Sequence, residues 1–289
     1  MSAEKVLAEQ TVASTTDAMD DKAFRQWAEL LEKRTGVVVP PARKSFMVTN
    51  LRIRMREIGC PSFDSYYSDL LAGAKGAVEW ATLVDRLTVH ETRFFRHQPS
   101  LDLVRQFLAS QPAQSVEPFD AWSVGCSTGE EAYSLAMIID AHLAGSGQER
   151  RFSVTATDVS QPALSFGRAA TYGLHRLAEI PTLFRQLYCE KIDDRYFRIS
   201  DKLRRRVGFA LMNMLDIARA PLGRLNLVFC QNVLIYFPRD RRQTVLNDMA
   251  NRLRPGGWLI LGPGEVMTWE HEQMERVGGH RTLAWRRKA

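Results

Sequence analysis

Cysteine is scarce. Only Cys60, Cys126, Cys189 and Cys230 occur among 289 residues, and no two form a CxxC pair. That excludes a zinc ribbon and a thioredoxin-type redox site, and no metal is expected. Thiols so few and so far apart fit a reducing compartment rather than a disulfide framework. Long apolar runs are also missing. The longest uncharged stretch, 225–238, includes Asn226, Gln231 and Asn232, too short and too polar to enter a bilayer. The chain does not open with a basic segment followed by an apolar one, so no signal peptide is read and a cytoplasmic protein is expected. Excess charge is modest: 39 Lys and Arg against 33 Asp and Glu give a net +6. That suits an acidic partner surface and leaves no nucleic-acid footprint. No segment recurs at a period of about 20–50 residues, which sets repeat architectures aside.

What is present is a globular mixture, 45% hydrophobic and 25% charged, long enough for about two domains of roughly 100–200 residues each. Residues 1–20 lack periodicity and read as a flexible leader. Residues 21–88 follow the helical period. Phe24, Trp27 and Leu31 recur before a stop at Gly36, and Pro40-Pro41 restarts the chain. Met47, Leu51, Met55 and Ile58 then form one stripe ending at Gly59. Ser62 caps a third helix carrying Phe63, Tyr66 and Leu70, and a fourth runs from about Ala77 to Leu87. This predicts a small all-helical N-terminal domain. Residues 89–118 form a linker and a connecting helix opened by Pro99.

From 119 to 289 the pattern alternates. AWSVGC, FSVTATD, LNLVFCQN and GWLILG read as strands, separated by the helical stretches TGEEAYSLAMIIDAHLAG, SQPALSFGRAA and RDRRQTVLNDMANRLR. Strands alternating with helices of this length predict an α/β doubly wound sheet. A charged stretch at about 171–208 interrupts it and reads as an insertion.

Several segments carry chemistry. Gly125 and Gly129 make a tight turn between the first strand and its helix, which lets a ligand approach backbone N–H groups. Ser127 stands where a dinucleotide fingerprint needs glycine. Gly125-x-Ser127-x-Gly129 also fits a hydrolase nucleophile elbow, with Asp248 and His271 or His280 as nominal partners. However, no oxyanion loop precedes Ala121, and Glu130 and Glu131 follow the turn directly. Asp158 ends the second strand, the usual place for an acid that holds ribose hydroxyls; the alternative is a cap for the next helix. In His90-Glu91-Thr92-Arg93-Phe94-Phe95-Arg96 the aromatics either staple the two domains together or frame Arg96 as a cation for a ligand carboxylate. Asn232 and Tyr236 follow a buried strand and are placed to face a ligand. Arg254-Pro255-Gly256-Gly257 reads as a structural turn.

Together these residues resemble the CheR-type chemotaxis receptor methyltransferases. ETRFFR, CSTGEEAYSLA, ATDVS, QNVLIYF and LRPGGWLILG occur in that family's order and spacing over roughly residues 22–287. The resemblance implies a methyltransferase sheet with an inserted β-subdomain, using S-adenosylmethionine and releasing S-adenosylhomocysteine. It implies protein-glutamate O-methylation of the cytoplasmic region of methyl-accepting chemotaxis proteins by a monomer. Family cofactor contacts fall on His90, Thr92, Arg96, Glu131, Asp158, Asn213, Met214, Gln231 and Asn232. The family's active-site tyrosine falls on Tyr236, with Arg96 beside it in the catalytic set. Three positions depart from the family: His90 stands for a frequent Asn, Gln231 for a usual Arg, and Gly262-Pro263-Gly264-Glu265 for a frequent GHSE. A methyltransferase with another acceptor and a non-catalytic cofactor-binding sensor are the alternatives.

The residues between Arg43 and Arg56 include five bases and no acid. Arg52, Arg54 and Arg56 are therefore expected to dock an acidic receptor helix, with Arg52 and Arg56 four apart on one flank. A solvated face is the plainer reading. The family's second docking mode, a glycine-containing loop of the insertion gripping a receptor-terminal pentapeptide, lacks its glycine here: none lies between Gly173 and Gly208. Pentapeptide-independent docking is expected.

Overall fold

The computed structural model describes residues 19–112, 117–146, 151–266 and 268–289. Most of the expected leader lies outside them. The chain divides into two units, Met1–Leu87 and Thr88–Ala289.

In the first unit, Asp20 accepts the Ala23 N–H and starts α1 (Asp21–Thr35), which ends where Gly36 takes a left-handed φ of 78°. Phe24, Trp27, Leu30 and Leu31 face inward. α2 (Lys44–Ile58) buries Met47, Leu51 and Met55. Ile58, expected on the same stripe, is 41% exposed: burial on this helix stops at Met55, and residues 56–59 are exposed. Ser62 caps α3 (Phe63–Leu71), as expected. α4 spans Gly73–Leu87 and starts earlier than Ala77. Gly76 allows this: a Cβ there would lie 2.6 Å from the carbonyl oxygens of Asp69 and Leu70, so only glycine lets the helix start so close to the end of α3.

In the second unit, α5 (Gln98–Ala109) carries Pro99 in its first turn. Then follow β1 (Phe119–Val124), α6 (Glu130–Gly145), β2 (Phe152–Asp158), α7 (Gln161–Ala169), β3 (Thr171–Gly173), α8 (Thr182–Tyr188), β4 (Cys189–Lys191), β5 (Tyr196–Ile199) and α9 (Asp201–Arg204). The chain continues through β6 (Val207–Leu211), β7 (Leu225–Cys230), α10 (Arg239–Asn251), β8 (Leu253–Leu261), β9 (Met274–Val277) and β10 (Leu283–Arg287). The main sheet runs β6-β2-β1-β7-β8-β10-β9. Its first five strands are parallel, and β10 lies antiparallel between β8 and β9. The small sheet β3-β5-β4 is antiparallel.

Strand side chains alternate between two cores. Phe119, Ala121, Leu227, Phe229 and Ile260 pack with α6 on one face. Trp122, Val124, Val228, Cys230, Leu259 and Leu261 pack with α10 on the other. Burial on both faces is what makes these strands read as nearly continuous apolar runs. Among the described residues no helix is long and apolar enough to cross a membrane.

Candidate functional site

β6, β2, β1 and β7 are parallel neighbours, so their carboxyl ends share one edge of the sheet. The chain order reverses beside β1, where ligands of open α/β sheets bind. Four segments meet or approach that edge: the 125–129 turn, Asp158, residues 212–214, and the loop 231–237.

The turn after β1 is fixed by its neighbours. The backbone N–H groups of Gly125 and Cys126 donate to the Thr157 carbonyl. Ser127 sits at φ 49°, and its N–H donates to Asp158 Oδ2 at 2.8 Å. Asp158 Oδ1 accepts the Ser160 N–H at 3.0 Å. The cap of α7 is Ser160 itself, whose hydroxyl accepts the Ala163 N–H, so Asp158 is not the helix cap. Gly125, at φ 70°, is required twice over. A Cβ there would meet Val233 Cγ2 at 2.4 Å, which packs the β1 turn against the β7 loop.

Glu131 lies one residue inside α6. It accepts the Ser123 hydroxyl at 2.7 Å. Burial pushes its carboxyl up to about 8; Glu265 adds to the shift, while Ser123 and Arg96 oppose it. Arg96 donates to the Glu91 carbonyl at 2.7 Å. His90 reaches the same region through its backbone: its carbonyl accepts the Ser127 hydroxyl at 3.4 Å. Its ring lies 3.0 Å from the Thr88 hydroxyl.

Other expected residues serve the scaffold through their recorded bonds. The Asn213 side chain accepts the Leu215 N–H and caps the short turn Met214–Arg219. The buried Gln231 amide points to the Leu261 carbonyl at 3.4 Å. Asn232 holds a left-handed φ of 61°, and Tyr236 closes a 3₁₀ turn. Ser127 and Asn232, two of the four non-glycine residues at positive φ among those described, fall in these segments, and a third, Phe95, falls in the run 90–96.

Sequence reasoning missed the residues that hold these segments. Arg176 donates to the Thr92 carbonyl at 2.7 Å, and Glu179 accepts the Phe94 N–H at 2.9 Å. Phe94 packs edge-on against Tyr172, and Phe95 stacks on Phe184. The aromatic pair therefore anchors the loop to the insertion of its own unit. Arg242 holds the loop after β7 in the same way, opposite Glu265 of the divergent Gly262–Glu265 motif. The charge runs containing Arg176 and Arg242 look like solvated faces in the sequence, and the contacts are too distant in the chain to show there.

The hydrolase arrangement is not assembled: the Ser127 hydroxyl donates to a backbone carbonyl, and the His271 ring accepts the Gln273 N–H. Burial and neighbouring carboxylates raise the Cys126 and Cys230 thiols, so neither is a thiolate. In the helical unit, Arg54 does not present itself for docking. Its guanidinium is bidentate to Glu79 at 2.8 and 2.7 Å and also reaches Glu57. Tyr66 donates to the same Glu79 at 2.7 Å. Arg52 and Arg56 remain on the flank of α2, Arg52 over the Phe63 ring.

Among the described residues no group of three His, Cys, Asp or Glu is disposed to hold a metal. An acid at the tip of β2, a half-buried acid at the start of α6 and the small-residue turn that leads into α6 make an edge suited to a nucleoside-type ligand. Comparison with known proteins gives the family. The pattern for "CheR methyltransferase, SAM binding domain" matches residues 90–283, and that for "CheR methyltransferase, all-alpha domain" matches 22–88. The chain is similar to the chemotaxis protein methyltransferase of Vibrio parahaemolyticus, 30% identical over 91% of this chain and 96% of the relative. It is similar to chemotaxis protein methyltransferase 1 of Vibrio cholerae at 30% over the same shares. The Escherichia coli chemotaxis protein methyltransferase is 30% identical over 86% of this chain and 85% of that one. The chain belongs to the CheR methyltransferase family, and its cofactor is S-adenosylmethionine.

Proposed function

We propose that this enzyme methylates glutamate side chains in the cytoplasmic region of methyl-accepting chemotaxis receptors. The observation that carries the reading is the placement of Asp158, Glu131 and Asn232 after three neighbouring parallel strands. Such a row suits a nucleoside joined to an amino acid. The donor set fits that cofactor. Glu131, pushed up to about 8 by burial, accepts an ammonium readily, because an arriving cation restores its ionised form. Asp158 holds the ribose, Arg96 takes the cofactor carboxylate, and His90, Thr92, Asn213, Met214, Gln231 and Asn232 line the pocket.

When bound, the cofactor supplies a methyl group activated by its sulfonium. A glutamate acceptor is already ionised at neutral pH, so the site needs no general base. Within the candidate segments, the Ser127 hydroxyl bonds only a backbone carbonyl, and burial raises the Cys126 and Cys230 thiols. Tyr236 would border the methyl that the cofactor supplies, and the chain's work is alignment and exclusion of water. Receptor docking falls to Arg52 and Arg56 on α2 and is independent of a receptor-terminal pentapeptide. In support, the β4–β5 turn closes without glycine, Asp193 accepting the N–H groups of Arg195 and Tyr196. The test is transfer of labelled methyl from S-adenosylmethionine to a receptor cytoplasmic fragment. Label on another residue type supports the alternative acceptor, and binding without transfer supports the sensor reading.

A further inference from the structure

The loop after β7 is gripped from two sides by opposite charges. Glu265 is fully buried. Its Oε1 accepts the N–H groups of Val233 at 2.7 Å and Leu234 at 2.9 Å, and its Oε2 accepts that of Gly262 at 2.7 Å. Arg242, near the start of α10, takes the carbonyls. Its Nε donates to Phe237 at 2.7 Å, Nη1 to the Glu265 carbonyl at 3.1 Å, and Nη2 to Ile235 at 3.4 Å. The anion thus holds the half of the loop next to Asn232, and the cation holds the half around Tyr236.

The loop needs such a grip. It leaves β7 through Asn232 in the left-handed region, which a non-glycine residue enters only when its surroundings impose it. The turn that follows, Leu234–Tyr236, is three residues long, too short to fix its own shape. Gly262 makes room for the arrangement: a Cβ there would fall 2.6 Å from Glu265 Oε2 and 3.0 Å from the Asn232 nitrogen.

We propose that Glu265 and Arg242 are positioning residues of the methyl-transfer site, Glu265 setting Asn232 toward the cofactor and Arg242 setting Tyr236 toward the reacting methyl. This rests on the roles given to Asn232 and Tyr236 above. Neither residue needs to touch cofactor or acceptor. The two halves of the grip therefore separate kinetically. Releasing the Tyr236 half lowers turnover and leaves cofactor affinity nearly alone, whereas releasing the Asn232 half weakens the cofactor as well.

The experiment measures three things in wild type, Arg242→Ala, Arg242→Lys and Glu265→Gln. They are S-adenosylhomocysteine affinity by calorimetry, methyl transfer to the receptor fragment, and amide hydrogen exchange. In Arg242→Ala, turnover falls by at least about tenfold while affinity stays within about threefold. Arg242→Lys recovers part of the loss, since an ammonium cannot reproduce the fork. Glu265→Gln also weakens affinity by at least about fivefold, because its amide sets N–H against the Gly262 N–H. Exchange at 233–237 speeds by at least about tenfold in both Arg242→Ala and Glu265→Gln, with β1 unchanged. Should Glu265→Gln not fold, the Arg242 variants decide alone. Unchanged exchange at 233–237 in Arg242→Ala, or a lower melting temperature with turnover and affinity both within about twofold of wild type, overturns the proposal. A wild-type enzyme that methylates nothing in the fragment fails the acceptor reading instead, and the exchange and affinity measurements still decide this one.

Discussion

Asp158 shapes the turn that it flanks: its Oδ2 accepts the Ser127 N–H at 2.8 Å, holding Ser127 at φ 49°. One carboxylate thus fixes the backbone of the β1 turn and faces the ligand edge. Asp158→Ala is expected to weaken S-adenosylmethionine by about 1–3 kcal/mol through lost hydrogen bonds to the charged group. Calorimetry checks it, and unchanged affinity removes Asp158 from the ribose contact.

Ser127 carries no nucleophile's burden. Its hydroxyl donates to the His90 carbonyl at 3.4 Å, a marginal bond. Ser127→Ala is expected to cost methyl transfer less than about tenfold, against on the order of 10⁶-fold for a triad serine. A steady-state assay of the variant distinguishes the two.

Glu131 gives the site a pH signature. In the empty protein its carboxyl, raised to about 8 chiefly by burial, is protonated below that pH. A bound ammonium favours the ionised form. Cofactor affinity is therefore expected to fall as pH drops below about 8, by up to about tenfold per unit, with protons released on binding. The sign for folding is opposite. The folded state binds more protons than the unfolded one between the ordinary glutamate value and about 8, so the empty protein loses stability as pH rises through that window. Titration calorimetry in two buffers of different ionisation enthalpy reads the proton release, which Glu131→Gln abolishes.

The arginines of α2 divide by task. Arg54→Ala breaks the fork on Glu79 and is expected to cost the fold about 1–3 kcal/mol in urea unfolding. Reversing Arg52 and Arg56 to Glu leaves cofactor affinity intact and cuts receptor methylation at least about tenfold, about 1.4 kcal/mol. Wild-type methylation falls with salt, since exposed charges are screened beyond about 8 Å. Normal methylation by the double reversal contradicts docking through this flank.

Much of this was legible in the sequence. The Asp158 strand, the Ser62 cap and the glycine-bounded turn after β1 stand where local pattern puts them, because buried parallel strands and helix caps are written in nearby residues. β6, β9 and β10 escaped reading. Val207–Leu211 buries only its first residue, and the last two strands are short and charged, β9 forming the sheet edge, so neither shows a clean period. β6 pairs with β2 in the main sheet, so the small sheet closes before it, at Ile199. The partners of Arg54, Arg176 and Arg242 were illegible for another reason. Arginine in a helix reads as a solvated face, and only the fold brings Glu79 to Arg54, the Thr92 carbonyl to Arg176, or the strained loop to Arg242.

The central claim is tested most directly by mass spectrometry of a receptor cytoplasmic fragment after incubation with the enzyme and methyl-labelled S-adenosylmethionine. The account predicts label on glutamate side chains, released as methanol by mild base as an ester must be, and loss of that label in Asp158→Ala at limiting cofactor. Base-stable label, label on another residue type, or none under conditions where calorimetry shows the cofactor bound would contradict it.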